Sequence, residues 1–299
     1  FNLGWAALGM ATHAFYEGLN HAANRNLYGK WVTDFPHIRQ MFVDAYTRLA
    51  AMKLFAQRAT DYFRSASPDD RRYLLYNPMV KMKVPTQGET VINLIWDVIA
   101  ARGFEKDVYF EMAATDIRAL PKLEGTVHVN MALIIKFMAN YFFNPGTFPE
   151  IGKRLDPACD TFLFNQGKTK GLGKIQFHDY NLAYSTIDLP NVNIFKSQID
   201  VLKEMLLNAT PDKKQAGNMD FLLYLGEMFT LVAYGQLIIE KYNMENFDQD
   251  LLEQIFDFMI RDFSEFALKL YSKPDTSDKQ MGYCQKLIKK PSTDKERFN

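Results

Sequence analysis

Apolar residues recur along this chain at three- and four-residue spacing, the period of a helix with one buried face. Leu3, Ala7, Leu8, Met10, Ala14, Phe15 and Leu19 predict a helix within residues 3–28, and YGKWVTDFP then reads as a turn. Pro36 suits the first turn of a second helix whose stripe is Ile38, Met41, Phe42, Ala45, Leu49, Met52 and Leu54. In SASPDD, Ser67 reads as an N-cap, Pro68 as the first helical residue, and Asp69 and Asp70 as acids facing the positive helix end. A further helical segment covers about 75–101, where Pro85 is expected to kink or break it and Gly88 to weaken it. AARGF ends that segment, EKDVYFEMAATD reads as a short acidic helix, and another helix ends near Phe143.

From NPGTFPE the character changes. Residues 145–190 are rich in Gly, Pro, Asp and Asn and read as an irregular connection. Three helices are expected at 192–209, 217–243 and 248–273, the last with the stripe Leu251, Leu252, Ile255, Phe256, Met259, Phe263, Phe266 and Leu270. From Ser272 the chain turns Lys-, Asp- and Ser-rich, and 276–299 is expected to be a mobile tail. No repeat and no strand-rich region stands out. The reading is all-α: a helical bundle over 1–144, the connection 145–190, and an additional helical region over 191–275.

Composition agrees with a packed core, since 47% of the 299 residues are hydrophobic. Lys+Arg and Asp+Glu are each 35, so no net charge points to nucleic acid or an anionic membrane surface. Two cysteines, Cys159 and Cys284, form no CxxC pair and no disulfide framework, which fits a reducing, cytoplasmic setting. The first residue, Phe1, falls within helical pattern, so the chain is expected to be a fragment or a processed product. FLLYLGEMFTLVAYGQLIIE (221–240) is long enough to span a bilayer, but Glu227 and Gln236 interrupt it, so a buried helix is the reading.

His13, Glu17 and His21 share one helix face, yet no second ligand set accompanies them, so no metal site is predicted. KGLGK (170–174) lacks the spacing of a phosphate loop and reads as a surface turn. There is no GxGxxG and no GxSxG. That leaves Glu124 in PKLEGTVHVN, an acid just ahead of a strongly apolar helix. Taken locally, it is a carboxylate favoured by the helix dipole.

Several blocks, in order, resemble the C-terminal helical part of the acyl-CoA dehydrogenases. ALGMATHAFYEGLNHAANRNLYGK is similar to the family helix ending in Arg-x-x-Phe-Gly-Lys, here Arg25, Tyr28, Gly29 and Lys30. NPMVKMKV carries Lys81 where the family has an Ala-Lys pair. IAARGF resembles the Gly-Gly-x-Gly-Phe turn, and ATDIRALPKLEGT the run that ends in Glu-Gly-Thr. The resemblance covers residues 1–143 and implies FAD-dependent α,β-dehydrogenation of an acyl-CoA thioester, with Glu124 as the base. Leu123, Val127 and Val129 would keep that carboxyl dry, which raises a carboxyl pKa toward its task. Arg25 would lie near the FAD pyrophosphate of a neighbouring subunit, Tyr28 near the adenosine and Thr126 against the flavin nucleotide. Gly103 and the backbone of Ala100 and Ala101 would line the adenosine-diphosphate groove. The resemblance also implies a homodimer or homotetramer and an electron-transfer flavoprotein as redox partner.

Departures run through the same blocks. The paired glycines are Ala100 and Ala101, Asp97 and Pro36 stand where glutamines are frequent, and Thr115 replaces an arginine. Two alternatives follow: a non-catalytic oligomerisation or partner-binding domain that has lost FAD, or an acyl-CoA oxidase. Residues 145–299 resemble, in placement alone, the C-terminal extensions of very-long-chain members and oxidases. Because the resemblance assigns the flavin ring to other domains, the isolated 299-residue chain is expected to hold FAD poorly. An absorbance spectrum showing one FAD per chain contradicts that.

Overall fold

The computed structural model describes residues 1–156, 161–167 and 169–293, so Cys159 and the last six residues of the expected tail lie outside the described residues. The fold is all-α. In chain order its helices are α1 (Asn2–Ala23), α2 (Pro36–Arg64), α3 (Tyr73–Ile99), α4 (Tyr109–Ala119), α5 (Val127–Phe143), α6 (Thr161–Asn165), α7 (Asn181–Tyr184), α8 (Pro190–Asn208), α9 (Lys213–Ala216), α10 (Met219–Glu245), α11 (Gln249–Tyr271) and α12 (Asp278–Leu287). They are divided between two compact units, Phe1–Gln57 with Asn77–Asn130, and Arg58–Tyr76 with Met131–Asn299. The units therefore interleave along the chain.

In the first unit, α1 stops earlier than its pattern implied. Asn24 caps it, and strands β1 (Asn26–Leu27) and β2 (Lys30–Trp31) pair antiparallel as a hairpin. The two loop residues, Tyr28 (φ 54°) and Gly29 (φ 75°), both take left-handed backbone, the conformation that suits a two-residue hairpin loop. Asp34 accepts the Trp31 N–H at 3.0 Å and closes the following turn. A small apolar core of Ala22, Val32, Ile38 and Val98, flanked by Leu27, Phe35, Met41 and Phe42, ties the hairpin to α1, α2 and the end of α3.

Helix α3 runs unbroken through Pro78 and Pro85. A proline inside a helix costs about 3 kcal/mol. Met79, Val80, Met82 and Val84 are all fully buried, and each large apolar side chain contributes about 1.5–3 kcal/mol on burial. Packing outweighs the lost donors. Ser67 caps a turn instead of a helix: its Oγ accepts the Asp70 N–H at 3.0 Å, and the Asp70 carboxylate is taken up by Arg72 at 2.6–2.9 Å. Helix α3 accordingly begins only at Tyr73.

In the second unit α8, α10, α11 and α12 pack together, α11 against each of the others. Helix α10 is long and apolar enough to cross a membrane, but 83% of its most apolar window is buried inside the protein. Its Gln236 and Glu240 are held in a polar cluster. Arg58 Nε donates to Glu240 at 2.8 Å, Tyr62 donates to the same carboxylate at 3.0 Å, and Gln236 donates to it at 2.7 Å and accepts from Tyr141. Residues 145–190 remain largely irregular, yet they are packed: Phe177 is fully buried against Tyr76, Phe137 and Tyr141. KGLGK forms a turn with Gly171 left-handed. The expected tail contains a helix, α12, begun by a capping box in which Ser277 and Gln280 satisfy each other's backbone N–H groups. Cys284 of α12 is fully buried, and burial pushes its thiol up to about 11.

Removing one partner of a buried ion pair is costly because the other charge is left uncompensated. The Arg58 and Glu240 side chains are 4% and 17% exposed. Arg58→Met should therefore lower stability by about 3 kcal/mol, read as a reduced midpoint in urea unfolding; a loss below about 1 kcal/mol would show the pair to be weak.

Candidate functional site

The residues picked out from sequence fall in the first unit as two groups. No hydrogen bond, ion pair or ring contact among the described residues joins one group to the other.

The first group lies where the hairpin meets the end of α3. Arg25 follows α1, and its carbonyl accepts the Val32 N–H at 3.0 Å, which fixes the base of the hairpin. Its guanidinium Nη1 lies 3.3 Å from His21 Nε2, one helical turn earlier, and has no carboxylate partner among the described residues. Burial, then Arg25, then Arg102 push the His21 pKa down. A neutral imidazole accepts the Arg25 N–H. Arg102, in the 3₁₀ turn Ala100–Phe104, makes only a long, exposed contact with Glu105 at 3.9 Å. Both guanidinium groups act on His21, and Arg25 has no carboxylate partner among the described residues, so the corner offers charged donors suited to a phosphate or diphosphate. His21 and Arg102 were not singled out for this corner from sequence; the i, i+4 spacing of His21 and Arg25 was the available signal.

Ala100 has φ 60°, the left-handed region that favours glycine, at the position of the first family glycine. Ala100 and Ala101 are both exposed, so their methyl groups block nothing within this chain. Gly103 is buried, and a Cβ there would meet Trp96 Nε1 at 2.6 Å. Its lack of a side chain serves the packing of the turn on Trp96, which also meets Phe104 in a tilted ring contact at 4.9 Å. Tyr28 stands at the hairpin tip, 95% exposed.

The second group is the turn between α4 and α5. Glu124 (φ 52°) and Gly125 (φ 97°) are consecutive left-handed residues. The turn is held by Lys81 of α3, which is only 6% exposed. Lys81 Nζ donates to the carbonyls of Leu120 at 3.1 Å, Pro121 at 3.0 Å and Gly125 at 2.5 Å. Leu120 and Pro121 follow the last turn of α4, where carbonyls lack helical partners. Burial pushes the Lys81 pKa down, and nearby Glu124 opposes that shift. Asn130 Nδ2 donates to Gly125 O at 3.1 Å and to Thr126 O at 2.9 Å. Thr126 Oγ1 accepts the Val129 N–H at 3.4 Å and so starts α5.

Glu124 itself is exposed, and its carboxylate makes no hydrogen bond or ion pair among the described residues. The dry setting expected from Leu123 and Val129 is not provided by this chain alone, since they are 51% and 61% exposed. The left-handed turn and the first turn of α5 direct these side chains outward from the unit. His13 packs edge-on against Tyr109 and lies 3.7 Å from Glu17, while His21 faces Arg25.

Left-handed alanine costs about 1–2 kcal/mol, while glycine loses about 0.4–1 kcal/mol more chain entropy on folding. Ala100→Gly should therefore stabilise by up to about 1 kcal/mol. Ala101→Gly, whose backbone is not left-handed, should destabilise by about 0.5–1 kcal/mol. Thermal unfolding of the two variants checks the opposite signs.

The family described as Acyl-CoA dehydrogenase, C-terminal domain, matches residues 1–139. No curated protein matches the sequence. Among solved structures, an acyl-CoA dehydrogenase complexed with FAD from Bacillus anthracis is similar at TM-score 0.61 and 13% identity, over 98% of this chain and 51% of that one. Caenorhabditis elegans ACDH-11 in complex with C11-CoA is similar at TM-score 0.56 and 14% identity, over 86% of this chain and 41% of that one. Acyl-CoA oxidase3 from Yarrowia lipolytica is similar at TM-score 0.55 and 13% identity, over 96% and 46%. The chain thus spans about half the length of these proteins, and at such identities the likeness is one of fold. Over residues 1–139, which carry the hairpin, the left-handed alanine and the Glu-Gly-Thr turn, the chain thus matches the C-terminal helical domain of the acyl-CoA dehydrogenase family.

Proposed function

We propose that this chain is the C-terminal helical half of an FAD-dependent acyl-CoA dehydrogenase and that Glu124 removes the α proton of the acyl thioester. One observation carries the reading: a carboxylate with no hydrogen bond or ion pair is presented on left-handed backbone by a turn whose geometry is set from beneath. FAD, when bound, accepts the hydride that leaves the β carbon. Glu124 takes the α proton onto a carboxylate oxygen and becomes a neutral acid, so no charge is left on this side chain. Leu123 and Val129 offer apolar surface beside it. Covered by the acyl chain or a second subunit, they exclude water and make the carboxylate a stronger base.

The Arg25–Arg102 corner suits the diphosphate of FAD. Arg25 supplies charge-assisted donors, Ala100 and Ala101 present backbone to the same groove, and Tyr28 extends toward the adenosine. Thr126 faces the nucleotide from the other group. The working assembly on this reading is a homodimer or homotetramer, cytoplasmic, that passes electrons to an electron-transfer flavoprotein; if oxygen takes them instead, the activity is that of an acyl-CoA oxidase. A non-catalytic helical scaffold is favoured by one observation, the methyl group carried by Ala100 on backbone that suits glycine.

In the FAD-loaded enzyme, Glu124→Gln should lower kcat for acyl-CoA oxidation by about 10²–10⁴-fold at unchanged FAD content, the range for loss of a general base. Unchanged turnover removes Glu124 from the chemistry. A complete wild-type protein that holds no FAD leaves the scaffold reading standing.

A further inference from the structure

Every donor on the Lys81 ammonium is committed to backbone. Its three acceptors lie on both sides of Glu124: Leu120 and Pro121 before it, Gly125 after it. Asn130 adds a second donor to the Gly125 carbonyl. The segment between these anchors contains the two left-handed residues Glu124 and Gly125. A non-glycine residue in that region costs on the order of 1–3 kcal/mol and persists only where the surroundings over-determine it. Asn130 of α5 supplies part of that constraint, while Leu123, Glu124 and Thr126 are exposed. The rest comes from Lys81 of α3, 39 to 44 residues earlier in sequence than the carbonyls it holds.

We propose that Lys81 is a positioning residue for Glu124: by binding the Leu120, Pro121 and Gly125 carbonyls together, its ammonium holds the left-handed turn that aims the carboxylate at substrate. This rests on the reading of Glu124 as the base. A side chain that served stability alone would need no cation here, since a buried ammonium is strongly desolvated and an apolar residue of similar length fills the same space. What the cation adds is direction. Three carbonyls are drawn to one point, and the arc between them has little freedom left.

The test is Lys81→Met, which keeps length and removes the donors, compared with Glu124→Gln. In hydrogen exchange on the 299-residue chain, amides of residues 122–126 should exchange at least about tenfold faster in Lys81→Met, while α1 and α10 keep their protection. In the FAD-loaded enzyme, the same variant should lose about 10²-fold in kcat, the scale of an ångström-sized misplacement, with KM for acyl-CoA and FAD content unchanged. Unaltered exchange at 122–126 overturns the proposal. So does faster exchange with full kcat, provided Glu124→Gln is inactive. If Glu124→Gln is fully active, the reading of the base has failed, and the exchange result alone then reports whether Lys81 holds the turn.

Discussion

A buried ammonium that has to be neutralised by backbone oxygens governs the first unit. Lys81 cannot reach bulk water, and its charge is satisfied only where three carbonyls converge. The end of α4 supplies two of them, because the last carbonyls of a helix have no N–H ahead of them. The third comes from Gly125 and requires the chain to double back through left-handed backbone. One constraint therefore sets where α4 stops, how the next turn is shaped and where α5 starts. Glu124 is carried along on that turn, and its exposure follows from the geometry of the turn.

The second unit meets the same demand differently. Its polar groups face one another: Arg58, Tyr62 and Gln236 surround Glu240, and Gln198 bridges the Ile260 and Leu287 carbonyls from α8. These buried polar groups are hydrogen-bonded within the unit, which is the pattern of a scaffold. In the first unit, by contrast, Arg25 and Glu124 have no hydrogen-bonded or ion-paired opposite charge among the described residues.

The family's glycine turn shows how backbone geometry and side chain come apart. Ala100 keeps the left-handed conformation although its methyl group opposes it. The surrounding packing, Val98 in the small core and Gly103 against Trp96, holds the turn in place whatever residue occupies position 100. The shape of the corner is thus an outcome of packing, and the substitution alters its strain more than its path.

The eight longer helices, their faces and most of their boundaries were legible in the sequence, because apolar spacing and capping residues act locally, whereas α6, α7, α9 and α12 were not read. Asp212, Asn218 and Asp248 accept backbone N–H groups at the starts of α9, α10 and α11 as their residue types imply. The burial of α10 was legible from Glu227 and Gln236. Even α12, read as tail, carried a local signal in the Ser277–Gln280 box. The exceptions were the places where distant residues decide. Pro78 and Pro85 stay inside α3 because its buried faces outweigh the missing donors, and the hairpin at 26–31 forms because its apolar residues join a core that includes Val98. Glu124 and Arg25 were visible as residues in a familiar pattern. The Lys81 anchor and the His21–Arg25–Arg102 corner were not, since sequence records neighbours along the chain and these contacts join side chains and carbonyls that only folding brings within reach.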